Sequence, residues 1–327
     1  MRAPNRTHLA IPASFSEERF PVPATRIIIN PNARHGVTQR LTDAVRGLYS
    51  ESDAEVLVTQ APCHATELAA ASAEAGASRV VAIGGDGTIS EVITGLMRIE
   101  ESRRPVLGII PSGSGNDIAR LTGIPTGLSR AFPLLQTGTP RAFDVGTCND
   151  RFFFSSFSVG LDALVVAKTV EYKEHPHSAG LALYVRALIY TAFRNFHSTS
   201  LSIAYDDEPA QEHAVMLCSA TNGQTYGGGI RINPWAKPDD GLLASSTVAD
   251  ISKPKLISCM PLLVIAKQKW IKQYQGRDCT KIRINTLDGV PVIAQTDGEI
   301  FSANTFEVGI LAGALQVIVP ERRQAQD

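Results

Sequence analysis

The chain has 327 residues, 44% of them apolar and 19% charged, with a net charge of −1 at neutral pH. Such a balance fits a soluble globular protein of two domains and gives no bulk field for nucleic acid. No run of about 18 apolar residues predicts a membrane span, and five scattered cysteines (Cys63, Cys148, Cys218, Cys259, Cys279), none in a CxxC pair, argue against a zinc site or disulfide framework and for a reducing, cytoplasmic setting.

Residues 1–25 carry Pro4, Pro12, Pro21 and Pro23 among scattered charges, without a signal-peptide pattern, and read as a flexible leader. A buried strand is predicted at Arg26–Asn30, then a loop from Asn32 to Gly36 and a helix from Val37 to Tyr49. Next come a strand at Glu55–Thr59, an alanine-rich helix at Ala65–Ala75 and a strand at Val80–Ile83. That strand runs into Gly84-Gly85-Asp86-Gly87-Thr88, after which Ile89, Val92, Ile93 and Leu96 recur at helical spacing up to Glu100. The glycines predict positive φ and close approach of a bulky anion, and the helix turns free N–H groups and its positive dipole end towards it. Asp86 in the middle suggests a metal ion or a proton acceptor near phosphate; a plain β–α turn is the alternative. A strand at Val106–Ile110 leads to Pro111-Ser112-Gly113-Ser114-Gly115-Asn116-Asp117, where Asn116 and Asp117 would cap a helix at Ile118–Leu121. Alternation over residues 26–121 predicts parallel βαβ units in an open α/β sheet, with ligands at the strands' carboxyl ends.

After Phe143-Asp-Val-Gly146 the pattern changes. Strand-like segments recur at Phe152–Phe157, Ser200–Tyr205, Ala214–Ala220, Leu242–Val248, Lys281–Asn285, Val292–Gln295 and Thr305–Ile310, which predicts a mostly antiparallel β-sandwich. Helical insertions are expected at Ala179–Phe196 and Leu256–Tyr274, the latter with Leu256, Met260, Leu263, Val264, Ile271 and Tyr274 on one stripe. The expected division is a leader (1–25), a nucleotide-binding domain (26–146), a sandwich domain (147–320) and a tail (321–327). Ile251–Arg277 holds Lys253, Lys255, Lys267, Lys269, Lys272 and Arg277 with no acidic residue, beside Trp270 and Tyr274. It suits either an anionic membrane surface or a core helix with a solvated basic face. His35, His64, His175, His177 and His213 have no metal-ligand spacing.

Two glycine-rich nests on neighbouring strand ends point to a polyphosphate site. Neither is a P-loop, and no G-x-G-x-x-G opens the first βα unit. Asp297-Gly298-Glu299 follows a strand, and its carboxylates could hold a metal or share a base role; a plain acidic turn is the alternative, as it is for Asp239-Asp240-Gly241.

GGDGT at 84–88 followed by Ser90-Glu91, PSGSGNDIAR at 111–120, Asn30-Pro31 with Gly36, GLDA at 160–163, NGQTYGGG at 222–229, NPWAKPDDGLL at 233–243 and TDGE at 296–299 resemble, in order, the motifs of the diacylglycerol kinase family. That family includes soluble bacterial lipid kinases, sphingosine and ceramide kinases and, more distantly, NAD kinases. The resemblance covers about residues 26–320 and implies ATP- and magnesium-dependent phosphorylation of a hydroxyl on diacylglycerol or a related lipid alcohol. With the two nests it gives a nucleotide set of Asn30, Thr59, Gly84, Gly85, Asp86, Gly87, Thr88, Ile89, Ser90, Glu91, Ser112, Gly113, Ser114, Asn116 and Asp117. It implies Glu299 as proton acceptor with Asp297 beside it, Asp86 by the phosphates and their magnesium, and a structural magnesium on Asp240 with the carbonyls of Lys237 and Leu242. The chain departs from the commoner pattern in having serine at 114 in place of threonine and fewer glycines in the 32–36 loop. A soluble-substrate kinase of the NAD kinase type and a non-catalytic nucleotide-binding regulator are the alternative readings. The expected partners are a lipid substrate and a peripheral membrane surface, with no nucleic acid; sandwich edges could pair two copies as a homodimer.

Overall fold

Three consecutive isoleucines, Ile27, Ile28 and Ile29, are fully buried in the first strand, β1 (Thr25–Ile29). Both faces of β1 are covered, so its sequence is an unbroken apolar run. In the computed structural model, which describes residues 24–31, 54–173, 180–194, 198–227 and 229–321, β1 lies parallel between β2 (Ala54–Val58) and β3 (Arg79–Gly84). Residues 1–23 of the expected leader, the 32–36 loop with His35, the 37–49 helix, His175 and His177 fall outside the described residues; Thr25, the last leader residue, already begins β1. Helix α1 (His64–Glu74) packs on α2 (Asp86–Met97) through Gly95, where an added Cβ would lie 2.3 Å from the Thr66 carbonyl oxygen. β4 (Val106–Pro111) runs parallel to β3. Three short helices follow: α3 (Asp117–Thr122), α4 (Leu128–Ala131) and α5 (Leu134–Thr137).

The second half is mostly antiparallel. It comprises β5 (Thr139–Cys148), β6 (Arg151–Phe153), β7 (Ser156–Gly160), α6 (Leu161–Lys173), α7 (Gly180–Arg194), β8 (Thr199–Tyr205), β9 (Gln211–Thr221) and β10 (Leu243–Ala249). Then come α8 (Lys253–Val264), β11 (Tyr274–Cys279), β12 (Lys281–Thr286), β13 (Val292–Thr296), β14 (Glu299–Ala303) and β15 (Thr305–Val319). Hydrogen-bonded neighbours run β14-β13-β7-β9-β8-β12-β15-β4-β3-β1-β2, with β10 and β11 branching from β9 and β5 and β6 from β15. An α/β domain with parallel strands is thus followed by a mostly antiparallel sandwich. β15 joins them: it is antiparallel to β12 and β5, and its far end meets β4 in parallel at Val317 and Leu107. Ala314, Leu315, Val317 and Val319 accordingly pack in the core of the first half, with Phe143 and Val145.

Three expectations change. The strand expected over Phe152–Phe157 is two, β6 and β7, interrupted at Phe154-Ser155 by hydrogen bonds to Asp297. The helix expected over Leu256–Tyr274 stops at Val264, where Ala266 turns left-handed (φ 59°) and Lys267 N–H returns to the Leu262 carbonyl at 2.7 Å. Ile271 and Tyr274 are buried with Leu256, but from beyond the helix. Finally, none of Gly84, Gly85 and Gly87 has positive φ, and Asp86 already begins α2. Among the described residues no helix is long and apolar enough to cross a membrane.

Candidate active site

The carboxyl ends of β1 to β4 lie at one edge, as the βαβ pattern requires. Asn30 donates its side-chain N–H to Thr88 Oγ1 at 2.9 Å, and Thr59 N–H bonds the Ile29 carbonyl at 2.9 Å. The last rung between β3 and β4 is Ser112 N–H to the Gly84 carbonyl, 2.8 Å. It brings the two nests together: a Cβ on Gly113 would sit 2.7 Å from Gly85 Cα, so the glycines serve close backbone approach. A Cβ on Gly115 would meet Asp86 Oδ2 at 2.7 Å. α2 begins at this edge, so its first N–H groups and positive dipole end face it. Ser112 Oγ and Asn116 Oδ1 are buried with no hydrogen-bond partner among the described residues. Buried polar atoms are rarely left unpaired, and these are available to a polar ligand.

The acidic residues here divide their tasks. Asp86 Oδ1 accepts the Ile118 N–H at 3.1 Å and so caps α3 from another helix. Asn116, expected as the cap, makes no side-chain capping bond; it sits at φ 56° and donates to the Gly113 carbonyl at 3.0 Å. Asp117 pairs with Arg120 at 2.8 Å. Glu91 Oε2 accepts Ala65 N–H at 3.2 Å, at the start of α1. Burial raises the Glu91 carboxyl above its ordinary range, and the nearby Glu299 charge adds to the rise.

Asp297 binds the two halves together. Its carboxylate accepts N–H bonds from Phe154 (2.6 Å), Ser155 (2.8 Å) and Ser156 (2.9 Å), and the Ser90 hydroxyl of α2, 207 residues away, at 3.1 Å. Asp297 itself is held at φ 48°. Burial pushes its carboxyl up to about 6, against the pull of these hydrogen bonds. Both oxygens are therefore occupied. Glu299, two residues on, is about half exposed, and its ion pair with Arg151 spans 3.8 Å. Of the two carboxylates, that of Glu299 is thus the less engaged.

A narrow apolar cavity of about 50 Å³ lies in the sandwich half, walled by α6, α7, α8 and β9, with Leu188, Met216 and Leu256 among its lining. Its acidic group is Asp162, which is buried and bonded to Ser158 and to the Tyr184 hydroxyl. Burial raises the Asp162 carboxyl. Gln295 joins this wall to the acidic turn. Its amide N–H donates to Ser158 Oγ (2.9 Å) and Asp162 Oδ2 (3.3 Å), while its Oε1 accepts Gly298 N–H (2.8 Å).

Residues 24–148 match the diacylglycerol kinase catalytic domain, and residues 155–319 match the YegS C-terminal NAD kinase beta sandwich-like domain. The chain belongs to the YegS/diacylglycerol kinase family. "Probable lipid kinase YegS" of Salmonella heidelberg (strain SL476) is 26% identical over 91% of this chain and 96% of its own length. A YegS-like relative from Chromohalobacter salexigens is 34% identical over 54% of this chain and 55% of that protein. A candidate diacylglycerol kinase from Bacillus anthracis str. Sterne has the same fold, with a TM-score of 0.74 at 24% identity over 94% of this chain and 98% of its own. An Archaeoglobus fulgidus NAD kinase solved with ATP is more distant, at TM-score 0.51 and 12% identity over 91% and 94% of the two chains.

Within this YegS/diacylglycerol kinase site, the sequence-derived candidates mostly gather at one edge. Gly87 and Ser114 are exposed there, whereas Ile89 is fully buried and offers a ligand only its backbone. Lys237, Asp240 and Leu242 belong to a turn in the second half. Asp144 Oδ2 accepts Gly241 N–H at 2.7 Å, and Asp240 Oδ1 accepts Leu242 N–H at 3.1 Å. Asp240 is exposed, and an exposed carboxylate oxygen is the hard donor type that magnesium takes, with water in its other positions. Among the described residues no group of three or more His, Cys, Asp or Glu is placed to hold a metal. Sequence reading missed Asp144, Ser155 and Gln295. It quoted Asn222 only within a motif, yet this buried amide donates to the Asp144 and Phe154 carbonyls at 2.7 and 3.2 Å. Ser155 Oγ and Asn222 Oδ1 are further buried atoms without a partner among the described residues.

Proposed function

We propose that the chain transfers the γ-phosphate of ATP, with magnesium, to a hydroxyl of diacylglycerol or a closely related lipid alcohol. The observation that carries this reading is the Ser90–Asp297 hydrogen bond. It fastens the helix that begins at the glycine nest to the turn that bears Glu299, which supports an anion cradle and a proton acceptor serving one reaction. The apolar lining of the cavity, Leu188, Met216 and Leu256 among it, supports a lipid acceptor, for which a space of about 50 Å³ would have to widen.

Phosphoryl transfer depends mainly on positioning and charge neutralisation. The nest would hold the phosphates through backbone N–H groups and the Ser112 hydroxyl, while Asn116 Oδ1, an acceptor, suits a ribose hydroxyl, a base amine or a metal-bound water. Glu299 would take the proton of the acceptor hydroxyl as that oxygen bonds the γ-phosphorus and the bond to the bridging oxygen breaks, leaving ADP. Magnesium, when bound with the nucleotide, supplies neutralisation of the phosphate charge; Asp86 is the carboxylate beside the nest. Asp240 with the carbonyls of Lys237 and Leu242 would hold a structural magnesium.

The test is transfer of labelled γ-phosphate from ATP into a mixed lipid extract, comparing the wild type with Glu299→Ala. A labelled lipid that falls by about 10²-fold or more in the variant supports the assignment. Labelling of NAD instead would identify a soluble-substrate kinase, and ATP binding without turnover on any acceptor a regulator. A labelled lipid undiminished in Glu299→Ala would remove Glu299 from the role of base.

A further inference from the structure

Eight large apolar side chains are exposed among the described residues, and five of them lie on the helices and adjoining turns that roof the apolar cavity: Val170, Ile189, Phe193, Ile265 and Trp270. Ile189 and Phe193 are four residues apart on α7 and share a face. Phe193 is 55% and Trp270 73% exposed, an unusual fate for large aromatic groups unless another phase receives them. The electrostatics of α7 and of the segment 251–272 are one-sided, whereas on α6, which bears Val170, Lys168 is paired with the exposed Glu171. Residues 180–194 and 251–272 carry seven lysines and arginines and no aspartate or glutamate; Arg277, further on in β11, is paired with Glu208. Three of these cations rest on aromatic rings, Arg186 on Tyr172, Arg194 on Tyr190 and Lys267 on Trp270. Lys253 Nζ donates to the Phe193 carbonyl at 3.2 Å and ties the start of α8 to the end of α7. Leu188 and Leu256, on these same helices, line the cavity beneath.

We propose that this cap docks on an anionic lipid bilayer. Phe193 and Trp270 enter the headgroup boundary, the surrounding lysines and arginines meet lipid phosphates, and the acceptor passes from the bilayer into the cavity below without crossing water. The proposal rests on the lipid-kinase reading and adds the surface through which the substrate arrives.

The test is co-sedimentation of the full chain with vesicles of phosphatidylcholine alone and of phosphatidylcholine with phosphatidylglycerol. Binding is expected only with phosphatidylglycerol present and weakens as salt rises. Phe193→Asp and Trp270→Ser each lower the partition at least about tenfold, whereas Val290→Ser, an exposed apolar residue on a distant turn, leaves it unchanged. Both cap variants phosphorylate a short-chain, monomerically dispersed diacylglycerol at the wild-type rate, because that acceptor needs no docking. Equal binding to both vesicle types, or full binding by both cap variants, overturns the proposal. Vesicle binding that follows the expected pattern, with no phosphorylation by wild type of short-chain diacylglycerol or of any lipid in a mixed extract, instead overturns the kinase reading.

Discussion

Two carboxylates separated by one glycine do different work here because their surroundings differ. Asp297 is consumed by four donors, while Glu299 projects from the start of β14 with one long ion pair. The Asp297 carboxyl, pushed up to about 6, takes up a proton on folding between about pH 4 and 6. Its contribution to stability is fully present below the ordinary carboxyl range and is lost as pH rises through 6. Activity should move the other way, since protonation removes an acceptor from the bond to Ser90. Asp297→Asn is therefore expected to flatten the melting temperature against pH between 4 and 6 relative to wild type, and to lack the fall in kcat/KM expected of wild type on acidifying through 6. Parallel profiles in both proteins would count against this. Gln295 is the second residue to test. Gln295→Leu strips a donor from buried Asp162 and an acceptor from Gly298. We expect kcat for the lipid to drop about 10²-fold with KM for ATP unchanged, as misplacement by about 1 Å would do. An unchanged kcat would show that the turn holds its shape without that link.

Elements were legible where one physical signal dominated. β1, β3 and β4 are buried on both faces, so their apolar runs stand out. β11 was missed because Gln275, Gly276, Arg277 and Asp278 are all exposed between two buried ends. α6, with Leu-Val-Val in its first turns, has no clean helical periodicity to read. The nests were found, but for a partly mistaken reason: the glycines are there so that two backbones can meet. Gly113→Ala tests that account directly. Its methyl would meet backbone at Gly85, which cannot swing aside. A loss of about 1–3 kcal/mol in stability is expected from overpacking, with ATP affinity weakened as the nest opens. Chemical denaturation and nucleotide titration measure the two effects, and a fully wild-type variant would refute the close-approach argument. The links made by Asp297, Gln295 and Asp144 were not readable, because they join residues more than a hundred positions apart or pass through backbone N–H groups that any sequence supplies.

At the scale of the whole molecule, one strand belongs to both halves. β15 carries sandwich residues at Phe306 and Val308 and first-half core residues at Leu315 and Val317, all buried. The Ser90–Asp297 bond and the packing of Gly223 against Leu121 add further ties. Thermal unfolding is therefore expected as one cooperative transition, with nucleotide raising the melting temperature of both halves together. Two resolved calorimetric peaks, only one moved by ATP, would contradict it. Changing Leu315 or Val317 to alanine should cost about 2–5 and 1–3 kcal/mol respectively and weaken nucleotide binding, although neither residue touches the nest.

The shared strand also sets an order on biosynthesis. β4 is translated at residues 106–111, yet its partner at Val317 leaves the ribosome only some two hundred residues later. Until then one edge of the nascent sheet is unpaired, and the groove between Phe143 and Val145 lacks its filling side chains. The nucleotide half, although first made, cannot finish first, and the emerging chain waits in a form that chaperones would recognise.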